Sequence, residues 1–156
     1  MKLEIMINNE NRVFVVNPNM TLMEFLRSEG YYGVKNGCNE GSCGSCVVLV
    51  DNIPRKSCIM FVGQVQGHKV MTIEGLGTQE NPHPIQDEFV ENGAAQCGYC
   101  IPGMILSAHA LLLKNPNPND SEIKEAIDGN ICRCTGYVKQ IKSIKQAAIR
   151  VKEIKS

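Results

Sequence analysis

The residues best suited to chemistry in this chain are its eight cysteines, and their spacing divides them into two sets of four. Cys38, Cys43 and Cys46 stand with four and then two residues between neighbours, and Cys58 follows after eleven more. Four thiolates in the order C-x4-C-x2-C...C have the spacing of a 2Fe-2S site, whose chemistry is one-electron transfer. Crowding and charge explain the residues between them. Four thiolates and two bridging sulfides carry net negative charge, so backbone N–H groups must point inward from a tightly wrapped loop. Gly37, Gly41 and Gly44 lack a Cβ, can take positive φ and let the backbone approach sulfur. These glycines form neither G-x-G-x-x-G nor a phosphate loop ending in Gly-Lys-Ser/Thr, so dinucleotide and P-loop readings lack their motif.

The second set is Cys97 and Cys100, spaced C-x2-C, with Cys132 and Cys134, spaced C-x-C. Thirty-one residues separate Cys100 from Cys132, enough for one helix to leave and another to return. Both pairs can therefore meet at one end of a helical bundle and hold a second cluster. No cysteine is left over. Structural zinc also uses four-thiolate ligation and C-x2-C pairs, so a pair of zinc sites is the competing reading. Spacing favours iron-sulfur, and disulfides fall behind both in a reducing compartment. With two complete cysteine sets, His68, His83 and His109 read as structural residues, and Lys139, Lys142 and Lys145 as a solvated helix face.

The elements that must position these cysteines fall into two halves. Leu3, Ile5 and Ile7 alternate, Asn8 to Asn11 supply a turn, and Arg12 to Val16 resume a β-branched run, which predicts a hairpin. Thr21 with Glu24 forms a capping-box pattern for a helix through Arg27 that ends at Gly30. Val47 to Asp51 predicts a strand, Asn52-Ile53-Pro54 a turn, and Val70 to Ile73 another strand. Strands with one covering helix in about 75 residues suit a β-grasp-like α+β unit. Residues 76–84 are rich in glycine, proline and polar side chains and read as a linker. Beyond it, four helices are predicted: Ile85 to Asn92, Gly103 to Lys114, Asp120 or Ser121 to Ile127, and one after Gly136 with an apolar stripe of Tyr137, Ile141, Ile144, Ala148 and Val151. The expected domains are thus 1–75 and 85–156.

Charge and hydropathy narrow the partners. Sixteen Lys and Arg balance sixteen Asp and Glu, which excludes the basic footprint of a nucleic-acid binder or a polybasic membrane patch. The first residues do not read as a signal peptide, and no apolar run approaches the eighteen or so residues that span a bilayer. A soluble, cytoplasmic protein with small-molecule or protein partners is expected.

Three motifs carry a resemblance that covers nearly the whole chain: Lys35-Asn36-Gly37-Cys38 through Cys46, Ala95-Gln96-Cys97-Gly98-Tyr99-Cys100 with Pro102-Gly103, and Gly129 through Tyr137. Together they resemble the two-cluster iron-sulfur subunit or domain of the molybdenum hydroxylases, a family that includes xanthine dehydrogenase, aldehyde oxidoreductase, nicotinate dehydrogenase and carbon monoxide dehydrogenase. The resemblance implies a plant-type ferredoxin-like domain with a cluster on Cys38, Cys43, Cys46 and Cys58. It implies a four-helix domain with a cluster on Cys97, Cys100, Cys132 and Cys134. Gln96 and Cys134 would contact the pterin of the molybdenum cofactor, and the ferredoxin-like cluster would face FAD. Large molybdopterin and medium FAD subunits are the implied partners, with electrons passing singly from molybdenum through this chain to flavin. Ile101 departs from the threonine common at that position, which bears on packing near the pterin and not on the ligands. A purine such as xanthine or hypoxanthine is the first expected substrate, followed by other N-heterocycles and aldehydes. A free two-cluster ferredoxin and a zinc-stabilised interaction module are the alternatives.

Overall fold

Two tight hairpins build the sheet. In the computed structural model, which describes residues 1–155, β1 (Lys2–Ile7) turns through Asn8-Asn9 into β2 (Glu10–Val15). Both asparagines take positive φ, 49° and 69°, and Ile7 pairs with Glu10. A two-residue turn of that handedness matches the twist of the flanking strands, and asparagine tolerates it. β3 (Val47–Val50) turns in the same way through Asp51-Asn52, with φ of 49° and 64°, into β4 (Ile53–Lys56). The turn is therefore one residue earlier than the sequence predicts, and Ile53 and Pro54 lie in a strand. Pro54 is tolerated because β4 is an edge strand.

β5 (Lys69–Met71) runs parallel to β1 and antiparallel to β3, giving the order β2-β1-β5-β3-β4. It stops before the predicted Thr72-Ile73 because a side chain replaces the ladder. Asn8 Oδ1 accepts from Thr72 N at 2.9 Å while Asn8 Nδ2 donates to Thr72 Oγ1 at 3.0 Å. α1 (Leu22–Ser28) covers one face of the sheet, and its capping box is formed. Thr21 Oγ1 accepts from Glu24 N at 3.1 Å, and Glu24 Oε2 accepts from Thr21 N at 2.8 Å. Leu22, Met23, Phe25 and Leu26 pack there against Leu3, Ile5, Ile7, Val48, Val50 and Val70.

The other half is helical: α2 (Pro84–Glu91), α3 (Ile101–Lys114), α4 (Asp120–Ile127) and α5 (Val138–Lys155). α3 begins directly after Cys100, two residues before the predicted Gly103, since Pro102 lacks an N–H only where the first turn needs none. α4 is capped by Asn119, whose side chain accepts from Glu122 N at 3.0 Å. A core of Ile85, Phe89, Met104, Ile105, Ile123, Ile127, Ile144 and Ala148 joins the four helices. Arg150 of α5 forks onto α2, reaching Asp87 at 3.0 Å and the buried Glu88 at 3.1 Å. Among the described residues, no helix is long and apolar enough to cross a membrane.

β3 joins the halves. All four of its residues are buried. Val48 and Val50 face the α1 side, whereas Val47 and Leu49 pack with Leu106 of α3. A strand covered on both faces reads as a continuous apolar run, and β3 does. Replacing Leu106 by alanine is expected to cost about 2–5 kcal/mol of unfolding free energy in urea titration, as for other fully buried leucines. A loss below about 1 kcal/mol would show that the sheet and α3 are not coupled.

Candidate metal centres

The β3–β4 hairpin explains why Cys58 can serve a loop that ends at Cys46. Val47 pairs with Lys56, so the residues just outside the hairpin lie side by side. Ser57 Oγ, fully buried, donates to Cys46 O at 2.7 Å, and Cys58 sits on the single 3-10 turn that follows. Burial and then the neighbouring Cys46 thiol push Cys58 up to about 11, and Cys38 adds to the rise. Cys38 lies at the opposite extreme, lowered to about 5 by the Ser42 hydroxyl and the backbone N–H groups of Cys43 and Glu40. The Ser42 hydroxyl also reaches Glu40 Oε1 at 2.8 Å, and one proton serves one acceptor. The backbone is therefore the more dependable donor, with Cys43 N 3.4 Å from Cys38 Sγ.

The second set closes across the bundle. Cys97 and Cys100 precede α3, and Cys132 and Cys134 lie between α4 and α5. Cys134 Sγ stands 3.6 Å from Cys97 Sγ, and both residues are exposed. Cys100 is buried, and that burial, with the Cys132 thiol beside it, raises it to about 12. Burial also raises Cys132, but hydrogen bonds from the Thr135 side chain and the Cys134 backbone outweigh it and hold the thiol below its usual range. The Cys97 thiol, followed by desolvation, raises Cys134. Gln96 is exposed beside Cys97.

The two cysteine loops are stitched to each other. Ile131 N donates to Cys43 O at 2.8 Å, Asn130 Nδ2 donates to Gly44 O at 3.1 Å, and the Tyr99 hydroxyl donates to Asn36 O. Gly44 has φ +74°, and a Cβ there would strike Gly129 O and come within 2.8 Å of Asn130 Nδ2. Tyr137, also at positive φ, turns its hydroxyl back to accept from Cys132 N at 2.7 Å and donate to Asn130 O at 3.1 Å. The sequence assigns Asn130 no role and reads Tyr137 as part of the apolar stripe of the last helix, whereas Tyr137 precedes α5 and its hydroxyl holds the Cys132 loop. Their polarity beside a ligand-like cysteine pair was the only available signal. Tyr99, which lies between two cysteines of one loop, thus bridges to the other.

The histidines do other work. His68 Nδ1 lies 2.6 Å from Asp51 Oδ2 at a hairpin, and the His83 ring accepts from Ile85 N at 3.2 Å as the cap of α2. His109 stacks edge-on against His83. Lys145, read as solvated, pairs with Asp120.

The donor sets fit the group that their spacing implies. Cys43 lies by Cys38, Cys58 by Cys46, Cys134 by Cys97 and Cys132 by Cys100, while among the described residues no three of them converge on the position of a single metal ion. A Cβ on Gly37 would lie 2.7 Å from Cys43 Sγ, so the loop is cut to leave sulfur its space. Residues 5–68 match a 2Fe-2S iron-sulfur cluster binding domain, and residues 72–145 match a 2Fe-2S binding domain. A nicotinate dehydrogenase small FeS subunit of Eubacterium barkeri is 46% identical over 145 residues, covering 92% of each chain. The chain belongs to the two-cluster iron-sulfur subunits of the molybdenum hydroxylases.

Within that family, a nicotinate dehydrogenase subunit from Pseudomonas putida is 36% identical over 94% of both chains. A xanthine dehydrogenase of Emericella nidulans is 43% identical over 78% of this chain, which spans 10% of that protein. Quinoline 2-oxidoreductase from Pseudomonas putida 86 superposes with a TM-score of 0.93 at 40% identity, covering 98% of this chain and 96% of that one. The aldehyde oxidoreductase of Desulfovibrio gigas superposes at 0.96 and 35% identity, over 99% of this chain and 17% of that one. Members of this family carry two 2Fe-2S binding domains, and this chain has both.

In the chain freed of iron by chelation, iodoacetamide at pH 7 is expected to label Cys38 before Cys58 and Cys100. A thiol near 5 is mostly thiolate at that pH, whereas thiols near 11 and 12 are not. Peptide mass mapping over time reads the order, and labelling of Cys58 at the rate of Cys38 would contradict it.

Proposed function

We propose that this chain relays electrons one at a time from a molybdopterin centre on a large subunit to FAD on a medium subunit. Cys38, Cys43, Cys46 and Cys58 hold one 2Fe-2S cluster, and Cys97, Cys100, Cys132 and Cys134 hold the other. Each cluster, when bound, supplies a site that gains and loses one electron. The observation that carries this reading is the bond from Ile131 N to Cys43 O, which joins the two loops one residue from Cys132. The bond gives the two cysteine loops a short direct connection, as a relay between two clusters requires.

Gln96, Cys97 and Cys134 are exposed together, which supports a docking face for the molybdopterin subunit, with Gln96 and Cys134 against the pterin. The Eubacterium barkeri relative is itself named as a small FeS subunit, which supports the separate large and medium partners. Residues 1–75 and 85–156 are taken as the two domains and 76–84 as their linker. All eight cysteines are free, in keeping with a reducing cytoplasm.

The substrate of the complex is an N-heteroaromatic compound of the pyridine or quinoline type, oxidised on the large subunit. Similarity along the full chain to nicotinate dehydrogenase subunits and to quinoline 2-oxidoreductase supports this over the purine first expected. The purine reading stays second on the strength of the xanthine dehydrogenase match.

Anaerobic purification from the native source is expected to bring down a molybdopterin subunit together with a flavin subunit, with two 2Fe-2S EPR signals after reduction. Nicotinate should bleach the clusters faster than xanthine. Zinc without acid-labile sulfide would leave a structural module, and two clusters without partners a free ferredoxin. In the same complex, Cys134→Ser should abolish one EPR signal, whereas Gln96→Ala should keep both and slow cluster reduction by substrate. Loss of both signals in Gln96→Ala would remove its pterin-contact role.

A further inference from the structure

Gln140, on the first turn of α5, is fully buried, and its Oε1 has no hydrogen-bond partner among the described residues. An orphaned acceptor of this kind costs about 1–3 kcal/mol, so its retention calls for a reason. The other end of the amide supplies one. Gln140 Nε2 donates to Ala94 O at 2.7 Å and to Thr135 Oγ1 at 2.6 Å. A carbonyl oxygen can only accept, so Ala94 fixes which end of the amide is nitrogen, and both its protons are then spent.

That orientation dictates the direction of the next bond. Thr135 Oγ1 must accept from Gln140, and Tyr137 N also points toward it at 3.5 Å. The hydroxyl keeps a single proton to give. Cys132 Sγ lies 2.9 Å away and, as a thiolate ligand, has no proton of its own. The relay therefore runs from Gln140 through Thr135 to sulfur, and the hydroxyl cannot reverse it.

We infer that Thr135, held by Gln140, is a positioning residue that raises the reduction potential of the cluster on Cys97, Cys100, Cys132 and Cys134 by a fixed O–H to Sγ hydrogen bond. This rests on the proposed assignment of those four cysteines. One-electron reduction adds negative charge that is shared by the sulfurs, so a hydrogen bond to Sγ is stronger in the reduced state and favours it. No bond breaks and the proton stays on Thr135 Oγ1. The bond makes this cluster, whose ligands Cys97 and Cys134 reach the surface, a better electron acceptor than it would be without it.

The test is a dithionite redox titration of the cluster-loaded full chain, followed by EPR of both signals. Thr135→Val, which keeps the shape and removes the hydroxyl, is expected to lower one midpoint and leave the other unchanged. The expected change is about tenfold in the reduced-to-oxidised ratio at fixed potential, or about 59 mV for one electron. Thr135→Ser should restore most of it. Gln140→Leu, which frees the hydroxyl to rotate, should lower the same midpoint by less. Unchanged midpoints in Thr135→Val with both signals present would overturn the inference. Loss of one signal in both Thr135→Val and Gln140→Leu would also overturn it, making the pair a structural prop. Absence of a second 2Fe-2S signal in the unaltered chain would instead overturn the cluster assignment beneath it.

Discussion

The carbonyl groups of Cys43 and Gly44 accept hydrogen bonds from Ile131 and Asn130, and this contact sets most of the geometry around it. Backbone can approach backbone so closely only where no Cβ intervenes. Gly44 lies against Gly129 O, and Gly103 at the start of α3 lies against Gly44 O. Two glycines from separate stretches, Gly44 and Gly103, thus let a cysteine loop of the sheet half rest on the helical half. The packing of Leu106 between Val47 and Leu49 holds the halves in the register this requires.

The thiols on either side of the contact are not equivalent. Cys58 and Cys100 are buried and pushed up by that burial, whereas Cys38 is drawn down by hydrogen-bond donors in its loop. Each set therefore joins thiols that ionise readily to thiols that need a metal to lose their proton. Binding a cation to such a set releases protons and organises the loop, so metal loading and folding are coupled. The helical set has two exposed thiols, Cys97 and Cys134, whereas the other has two half-buried ones, Cys38 and Cys43, and two buried ones, Cys46 and Cys58. One set faces outward from the helical half, the other is tied in beneath the β3–β4 hairpin, and the Cys43–Ile131 bond lies between them.

Much of this was legible in the residues. Cysteine spacing set out the two groups of four, because a loop of fixed reach limits which thiols can share a centre. Alternation in β1, the Thr21–Glu24 box and the capped helices followed from local hydrogen bonding and period, which act within a few residues. The errors were shifts of a residue or two at the ends of elements. The turn expected at Asn52-Ile53-Pro54 lies at Asp51-Asn52, since two residues that tolerate positive φ suffice and an edge strand can absorb a proline. The strand expected through Ile73 ends at Met71, because Asn8, sixty-four residues from Thr72 in sequence, captures that backbone.

What the sequence alone determined is the chemistry: eight thiols in two sets, the glycines that make room for them, and the motifs that mark the family. Tertiary structure decided the contacts that no spacing encodes. Arg150 on Glu88, Tyr99 on Asn36, Asn130 on Gly44 and Gln140 on Thr135 and Ala94 join side chains to groups whose positions depend on the packing of whole helices. A cysteine motif is readable because its ligands must be close along the chain. A hydrogen bond across the fold is not, because a polar side chain carries no mark of its distant partner until burial brings the two together.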